Sequence, residues 1–312
     1  ARRGYIDWAR VLAVVLMIEA HATDAWTRAA DQHTTAFGLA GLFGGFAAPL
    51  FLWLAGLSVG LAAAKATARS GSRATAVDAI CRRGLELFIL AFLFRLQAFI
   101  VSPGSHPITL FRVDILNVMG PAIACAGLLW AVSRRSSLLA AAYGALAVAT
   151  AMATPIVRHV AIVDVLPVWL QWYVRPAGEH TTFTMFPWAG FVFAGAACGV
   201  LLAGARDRQR EQRLQLGFAA VGAALVELGL YLATRPSLYA DSSFWTSSPT
   251  WFAVRVGVMM VALAGLYGAS LAWRSSGAKL AWLERFGRSS LFVYWIHVEL
   301  VYGYASWPWR GR

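Results

Sequence analysis

Near the start of the chain, the stretch LMIEAHATDAW (Leu16 to Trp26) places Glu19, His21 and Asp24 at the end of an apolar run. Imidazole and carboxylate are the side chains of general acid–base chemistry. His21 and Asp24 stand three positions apart, so they share a helix face if the helix continues that far. A carboxylate that accepts from one ring nitrogen fixes the tautomer and leaves the other nitrogen as the base. Glu19 is the second candidate for that orienting role. His33 follows in the next connection and stays open as an alternative base. Related groups recur further on: Arg95 and Gln97 in AFLFRLQAF, Asp114 and Asn117 in FRVDILNVMG, Glu179 and His180 in GEHTTFTMFPW, Arg255 in WFAVRVG, and His297 and Glu299 in YWIHVEL. No serine nucleophile elbow, phosphate loop or metal-ligand spacing is present. Cys81, Cys125 and Cys198 are an odd number and form no disulfide framework.

The elements that must hold these groups are legible from composition. The 312 residues are 59% hydrophobic and 13% charged, against about 25% charged in ordinary soluble domains. Phe37 to Ala64 contains no ionisable residue. A run that long, without polar positions every third or fourth residue, reads as membrane-spanning helix. The expected fold is all-α, a polytopic integral membrane helical bundle in one domain over 1–312. About nine transmembrane helices are predicted, at 6–24, 37–63, 84–101, 114–133, 136–156, 184–204, 213–233, 250–273 and 288–305. The first span carries Asp7, Arg10 and Glu19, which a signal-peptide core would not. It is read as a retained helix with a few residues missing upstream.

The net charge of +12 is distributed as a topology signal. Most Lys and Arg fall in alternate connections: Arg2 and Arg3, then Lys65 to Arg83, then Arg134 and Arg135, then Arg206 to Arg213, then Arg274 to Arg288. The positive-inside rule puts these in the cytoplasm, and with them the N-terminus. No nucleic-acid partner is needed to explain the charge. The expected location is a bacterial inner (plasma) membrane. Tryptophans and tyrosines of the outer connections, such as Trp169, Trp172 and Tyr173, read mainly as interface anchors. Glycine pairs at Gly41 and Gly45, Gly56 and Gly60, and Gly195 and Gly199 suit close helix packing.

With that topology, six segments send polar groups into the outer leaflet. Ionisable residues there are costly and usually face a bundle interior or a hydrated cavity. A set focused at one depth implies a hydrated site opening outward. Bland readings remain for several members. Asp7 and Arg10 suit a structural pair; Arg95, Asp114 and Arg255 suit mutual neutralisation; His106 and His159 suit solvated loops.

Five segments in order resemble the heparan-α-glucosaminide N-acetyltransferase-like family of the transmembrane acyltransferase superfamily. They are YIDWARVLAVVLMIEAH, APLFLWLAGLSVGLA, RRGLELFILAF, FRVDILNVMGPAIA and GRSSLFVYWIHVELVYG. In this chain Asn117 stands where the family usually has Gln, and Ala9-Arg10-Val11 replaces its usual Arg-Gly. The resemblance implies that acetyl-CoA, used from the cytosol, acylates a sugar or glycan acceptor on the far side, with no metal. It implies a histidine base corresponding to His21 or His33. The family usually has ten or eleven spans, so a final C-terminal helix is expected beyond this chain.

The expected activity is therefore an integral membrane acyltransferase. His21 is the base, oriented by Asp24 or Glu19, with His33 and His297 as further catalytic candidates. Glu19, Arg95, Gln97, Asp114, Asn117, His180, Arg255 and Glu299 are candidates for acceptor binding, and Asn117, His297 and Arg95 are candidates for oxyanion stabilisation or acceptor positioning. Arg10, Arg82, Arg83, Arg134 and Arg135 are candidates for the CoA phosphates. The lipid bilayer is a partner, and a homodimer stays open. The rival expectation is a proton-coupled transporter, in which the same groups relay protons.

Overall fold

The structure is a computed structural model that describes residues 3–101, 106–181, 183–275, 286–287 and 289–302. Of the residues named above, Arg2 and Arg288 lie outside it, as do the side chains of Glu179 and Arg274. The described chain is helical. In order come α1 (Gly4–Trp26), α2 (Thr35–Gly44), α3 (Ala47–Ser70), α4 (Arg73–Val101), α5 (Ile115–Trp130), α6 (Ser136–Val157), the single turn α7 (Val168–Gln171), α8 (Met185–Gly204), α9 (Arg208–Ala233), α10 (Pro249–Ser275) and α11 (Ser290–Tyr302). Among the described residues the one β contact is an isolated parallel bridge between Val113 and Thr181.

Among the described residues six stretches are long and apolar enough to cross a membrane: Thr35–Ser70, Arg73–Val101, Ser136–Val157, Met185–Gly204, Arg208–Ala233 and Pro249–Trp273. The chain is thus an all-helical membrane protein. The other three predicted spans fall on helices with a physical reason to stand apart. Helix α1 carries Asp7, Arg10, Glu19 and Asp24 along its length. Helix α5 has 16 residues, or roughly 24 Å at the α-helical rise, against a hydrocarbon core of about 30 Å. Helix α11 is described over 13 residues.

The chain divides into two compact units. The first comprises Ala1–Phe51, Phe218–Ala220 and Met259–Arg312; the second comprises Leu52–Gly217 and Val221–Val258. In the first unit, α1 packs against α2 and α11. The buried face of α1 is Tyr5, Ile6, Ala9, Ala13, Val14 and Met17, the i, i+4 stripe expected of a helix with one packed side. Tyr5 meets Tyr267 edge to face, with ring centroids 5.3 Å apart. Helix α2 is started by Thr34, whose hydroxyl accepts from the Phe37 amide at 3.3 Å.

In the second unit α4 packs on α5, α6 on α8, and α5 on α8. The crossing of α3 and α8 is set by glycine. A Cβ on Gly56 would stand 1.8 Å from the Val192 carbonyl oxygen, and one on Gly195 would stand 1.9 Å from that of Trp53. Only hydrogen fits at either position, so backbone meets backbone. The pair Gly41 and Gly45 differs, because a Cβ on Gly41 would meet nothing within 4 Å. At one end of this unit Arg73 donates to the Trp130 carbonyl and lies over the indole ring, 4.5 Å from its centroid. Trp130 in turn donates to Thr67 at 3.1 Å. The start of α4 is thereby tied to the ends of α3 and α5.

Candidate functional site

Helix α1 continues unbroken to Trp26, so His21 and Asp24 do lie on helical backbone. Packing of α11 on α1 brings a second histidine and a tyrosine to the same place. The His21 and His297 rings are 5.2 Å apart between centroids, tilted by 38°. His21 Nδ1 lies 3.0 Å from the Tyr302 hydroxyl. That hydroxyl donates to Asp24 Oδ2 at 3.3 Å. A phenol that gives its proton to Asp24 has an oxygen lone pair left for an N–H donor. The proton of His21 then belongs on Nδ1, and Nε2 carries the lone pair. Asp24 thus reaches His21 through a tyrosine rather than directly.

His297 is 3% exposed. Its Nδ1 lies 3.1 Å from the Val293 carbonyl oxygen, which can only accept, so Nδ1 donates. Nε2 of His297 is buried without a hydrogen-bond partner among the described residues. Glu19, one turn before Thr23, faces another way. Its Oε1 accepts from the Thr23 hydroxyl at 3.4 Å. Its Oε2 packs under Gly44, where a Cβ would come within 3.0 Å of it, and is buried without a hydrogen-bond partner among the described residues. Asp24 is exposed, and Glu299 is half-buried on α11. His33 is exposed on the turn between Ala29–Asp31 and α2. Arg10 pairs with the buried Asp7 at 2.7 Å, near the opposite end of α1.

The second unit gathers a different set. Arg95 on α4 forms an ion pair with Asp114, the residue that caps α5. The Asp114 backbone N–H donates to Asn117 Oδ1 at 2.9 Å, the reaching-back half of a capping box. Asn117 Nδ2 lies 3.5 Å from the Tyr173 hydroxyl, and burial pushes the Tyr173 phenol up from its ordinary pKa. His180 stacks on Trp172 with centroids 4.6 Å apart and planes at 15°, while its carbonyl accepts from the Val113 amide at 3.0 Å. Gln97 is half-buried on α4. Arg255 is 7% exposed, with its guanidinium 4.6 Å over the Trp251 ring, a cation–π contact.

Of the arginines expected at CoA phosphates, Arg82, Arg83, Arg134 and Arg135 are exposed in the second unit, while Arg10 is half-buried in the first. Arg82 pairs with Asp78 and Arg83 with Glu86, each at 3.0 Å. Arg134 and Arg135 follow α5, and Arg135 caps the start of α6. Among the described residues no group of three or more His, Cys, Asp or Glu is placed to hold a metal ion.

Sequence reasoning passed over Tyr302, which links His21 to Asp24. It stands five positions after His297, off the same helical face, so periodicity gave no signal for it. From the sequence Tyr173 reads mainly as an interface anchor, with a sugar-stacking role as the lesser alternative. Its hydroxyl end, half-buried beside Asn117, is what marks it in the structure.

The family model described as heparan-alpha-glucosaminide N-acetyltransferase, catalytic, matches residues 2–236 of the chain. No curated protein matches it. His21, Asp24, Arg95, Asp114 and Asn117 lie inside the matched segment; Arg255, His297, Glu299 and Tyr302 lie beyond it.

Proposed function

Because the chain belongs to the heparan-alpha-glucosaminide N-acetyltransferase catalytic family, we propose that it moves an acetyl group from acyl-CoA to a sugar or glycan amine or hydroxyl, with His21 as general base. The observation that carries this reading is the chain of contacts from Asp24 through Tyr302 to His21. A base needs its proton-accepting atom defined before substrate arrives. The tyrosine bridge defines it as Nε2. When the imidazole takes up a proton, the same bridge places a carboxylate two hydrogen bonds away to balance the charge.

In the proposed reaction His21 Nε2 removes a proton from the acceptor as its nitrogen or oxygen attacks the thioester carbonyl. The new C–N or C–O bond forms, the C–S bond breaks, and the imidazolium returns its proton to the departing thiolate. His297, beside His21 with its Nδ1 proton given to a backbone carbonyl, has an Nε2 lone pair left to accept from the amine or hydroxyl of the acceptor and so hold it. The exposed arginines Arg134 and Arg135, and Arg82 and Arg83 on α4, offer charge of the right sign to CoA phosphates. The positive-inside rule supports a cytoplasmic placement of that end and an outward-facing acceptor side, in a membrane we read as the bacterial inner one.

Purified protein supplied with acetyl-labelled acetyl-CoA and glucosamine-type acceptors tests the proposal. Acetyl transfer that is lost in His21→Ala, in protein that still unfolds cooperatively on heating, is the expected result. Absence of acetyl-CoA binding at millimolar concentration, together with solute flux in proteoliposomes, would replace the enzyme with a transporter.

A further inference from the structure

The second unit contains a cavity of about 490 Å³ that none of the preceding chemistry uses. It opens where α6 ends, and Arg158, His159, Arg175, Ser242, Ser243 and Ser247 line it. Arg158 is the residue that caps the C-terminus of α6, a place where a cation suits the helix dipole. Its Nη2 donates to the carbonyls of Phe186 and Thr246, each at 3.4 Å. A loop staple would account for those two bonds. It does not account for the charge, which has no carboxylate partner among the described residues, nor for Nε–H, which is buried without an acceptor there. Burial lowers the pKa of this guanidinium, the mark of a cation taken out of water without compensation.

Arg175 adds a second guanidinium. It pairs with Asp164 and donates from Nη2 to the Val160 carbonyl at 2.7 Å, and its Nε–H is also buried without an acceptor. The third side of the cavity is a serine-rich turn. The amides of Thr246, Ser247 and Ser248 converge on the Ser243 carbonyl, while the Ser243 amide donates to the Ser247 hydroxyl at 3.0 Å. Hydroxyls held on such a turn can donate to an oxygen-rich ligand. Asp241, exposed at the rim, is the one carboxylate that lines the cavity.

We propose that this cavity binds a small oxyanion, the phosphate or carboxylate of a hydroxyl-bearing ligand, with Arg158 and Arg175 as its guanidinium clamp. Two guanidiniums on the cavity wall, one of them half-buried with no carboxylate partner among the described residues, are met together by such a group. The site is distinct from the arginines assigned to CoA. Arg135 starts α6 and Arg158 ends it, and 22 residues separate the two ends by roughly 33 Å of helix. The proposal stands on binding alone and does not depend on the acyl-transfer reading.

The test uses the full chain in neutral detergent, titrated with inorganic phosphate and with glucuronate. In parallel, nanodiscs containing phosphatidylglycerol test for retention of that lipid, since its phosphate offers the same chemistry. Saturable binding of a soluble probe assigns the site to a soluble ligand, and lipid retention alone assigns it to a headgroup. In either case His159→Glu, on the exposed rim, weakens binding about tenfold. Asp241→Asn strengthens it, an effect that loss of fold would not mimic. Arg158→Lys keeps the charge but loses the fork, and also weakens binding. Binding by any probe that ignores all three substitutions, or no binding of any probe, overturns the proposal.

Discussion

The two units each hold a cluster of polar side chains on apolar helices, and the clusters differ in how much of their bonding is committed. In the second unit Arg95 is matched by Asp114, and Asn117 turns back to cap the helix that carries it. Charge there is neutralised by charge, and amide is used to finish a helix end. In the first unit His21 and His297 lie ring against ring, each with one nitrogen fixed by a neighbour. Neither neutral ring carries a charge to be cancelled. Its bonds define which nitrogen is basic. A polar group in a membrane helix reads as structural when its partners use it up, and as chemical when they orient it.

That contrast can be tested by removing one group at a time. The largest effect belongs to His21→Ala, which should lower turnover by about 10²–10⁴-fold while leaving the thermal unfolding midpoint little changed. Single-turnover and melting measurements on the same preparation check both halves. If His33→Ala produces that loss instead, the base has been misassigned and the His21–His297 pair is the structural one.

Next in size, Asp114→Ala or Arg95→Ala should cost roughly 1–3 kcal/mol of stability by leaving a part-buried partner alone. Replacing both with leucine should cost less than either single change, and a double-mutant cycle of unfolding free energies measures this. A large turnover defect with unchanged stability would move this pair into the chemistry.

A smaller effect is expected from Tyr302→Phe. It keeps the ring against His21 and removes the bridge to Asp24, and turnover should fall about tenfold, the worth of one oriented hydrogen bond. Asp24→Asn in that background should then add little, because the two act in series. The smallest effect is that of Thr34→Ala, which removes the N-cap of α2. It should cost about 1 kcal/mol in stability and leave the acetyl-CoA KM unchanged, as read by melting and steady-state kinetics.

The helices themselves were legible. Long ion-free runs such as Phe37 to Ala64 leave no other structure for the backbone, and six predicted spans coincide with helices of membrane-crossing length and hydropathy. The sequence also identifies α1 as the carrier of His21 and Asp24, because their spacing and the apolar run before them are local facts. Partnership was not legible. Asn117 is typed correctly as a polar residue opening a helix, but its roles as cap and as neighbour of Tyr173 depend on a contact across 56 positions. His180 looks like an acid–base group in the sequence, and the structure gives it a stacking partner, Trp172. Tyr302 had no local signal at all, since its partners lie on α1.

The bond between His21 and Tyr302 spans 281 positions of chain. At ribosomal speeds of about 5–20 residues per second, that separation is a delay of roughly fifteen seconds to a minute. The histidine is made, and its helix emerges, long before the tyrosine that fixes its tautomer exists. A nascent chain therefore holds the base unoriented throughout most of synthesis, and a message truncated before α11 yields a protein with its imidazole present but not set. The contact serves as a completion mark written into the order of translation.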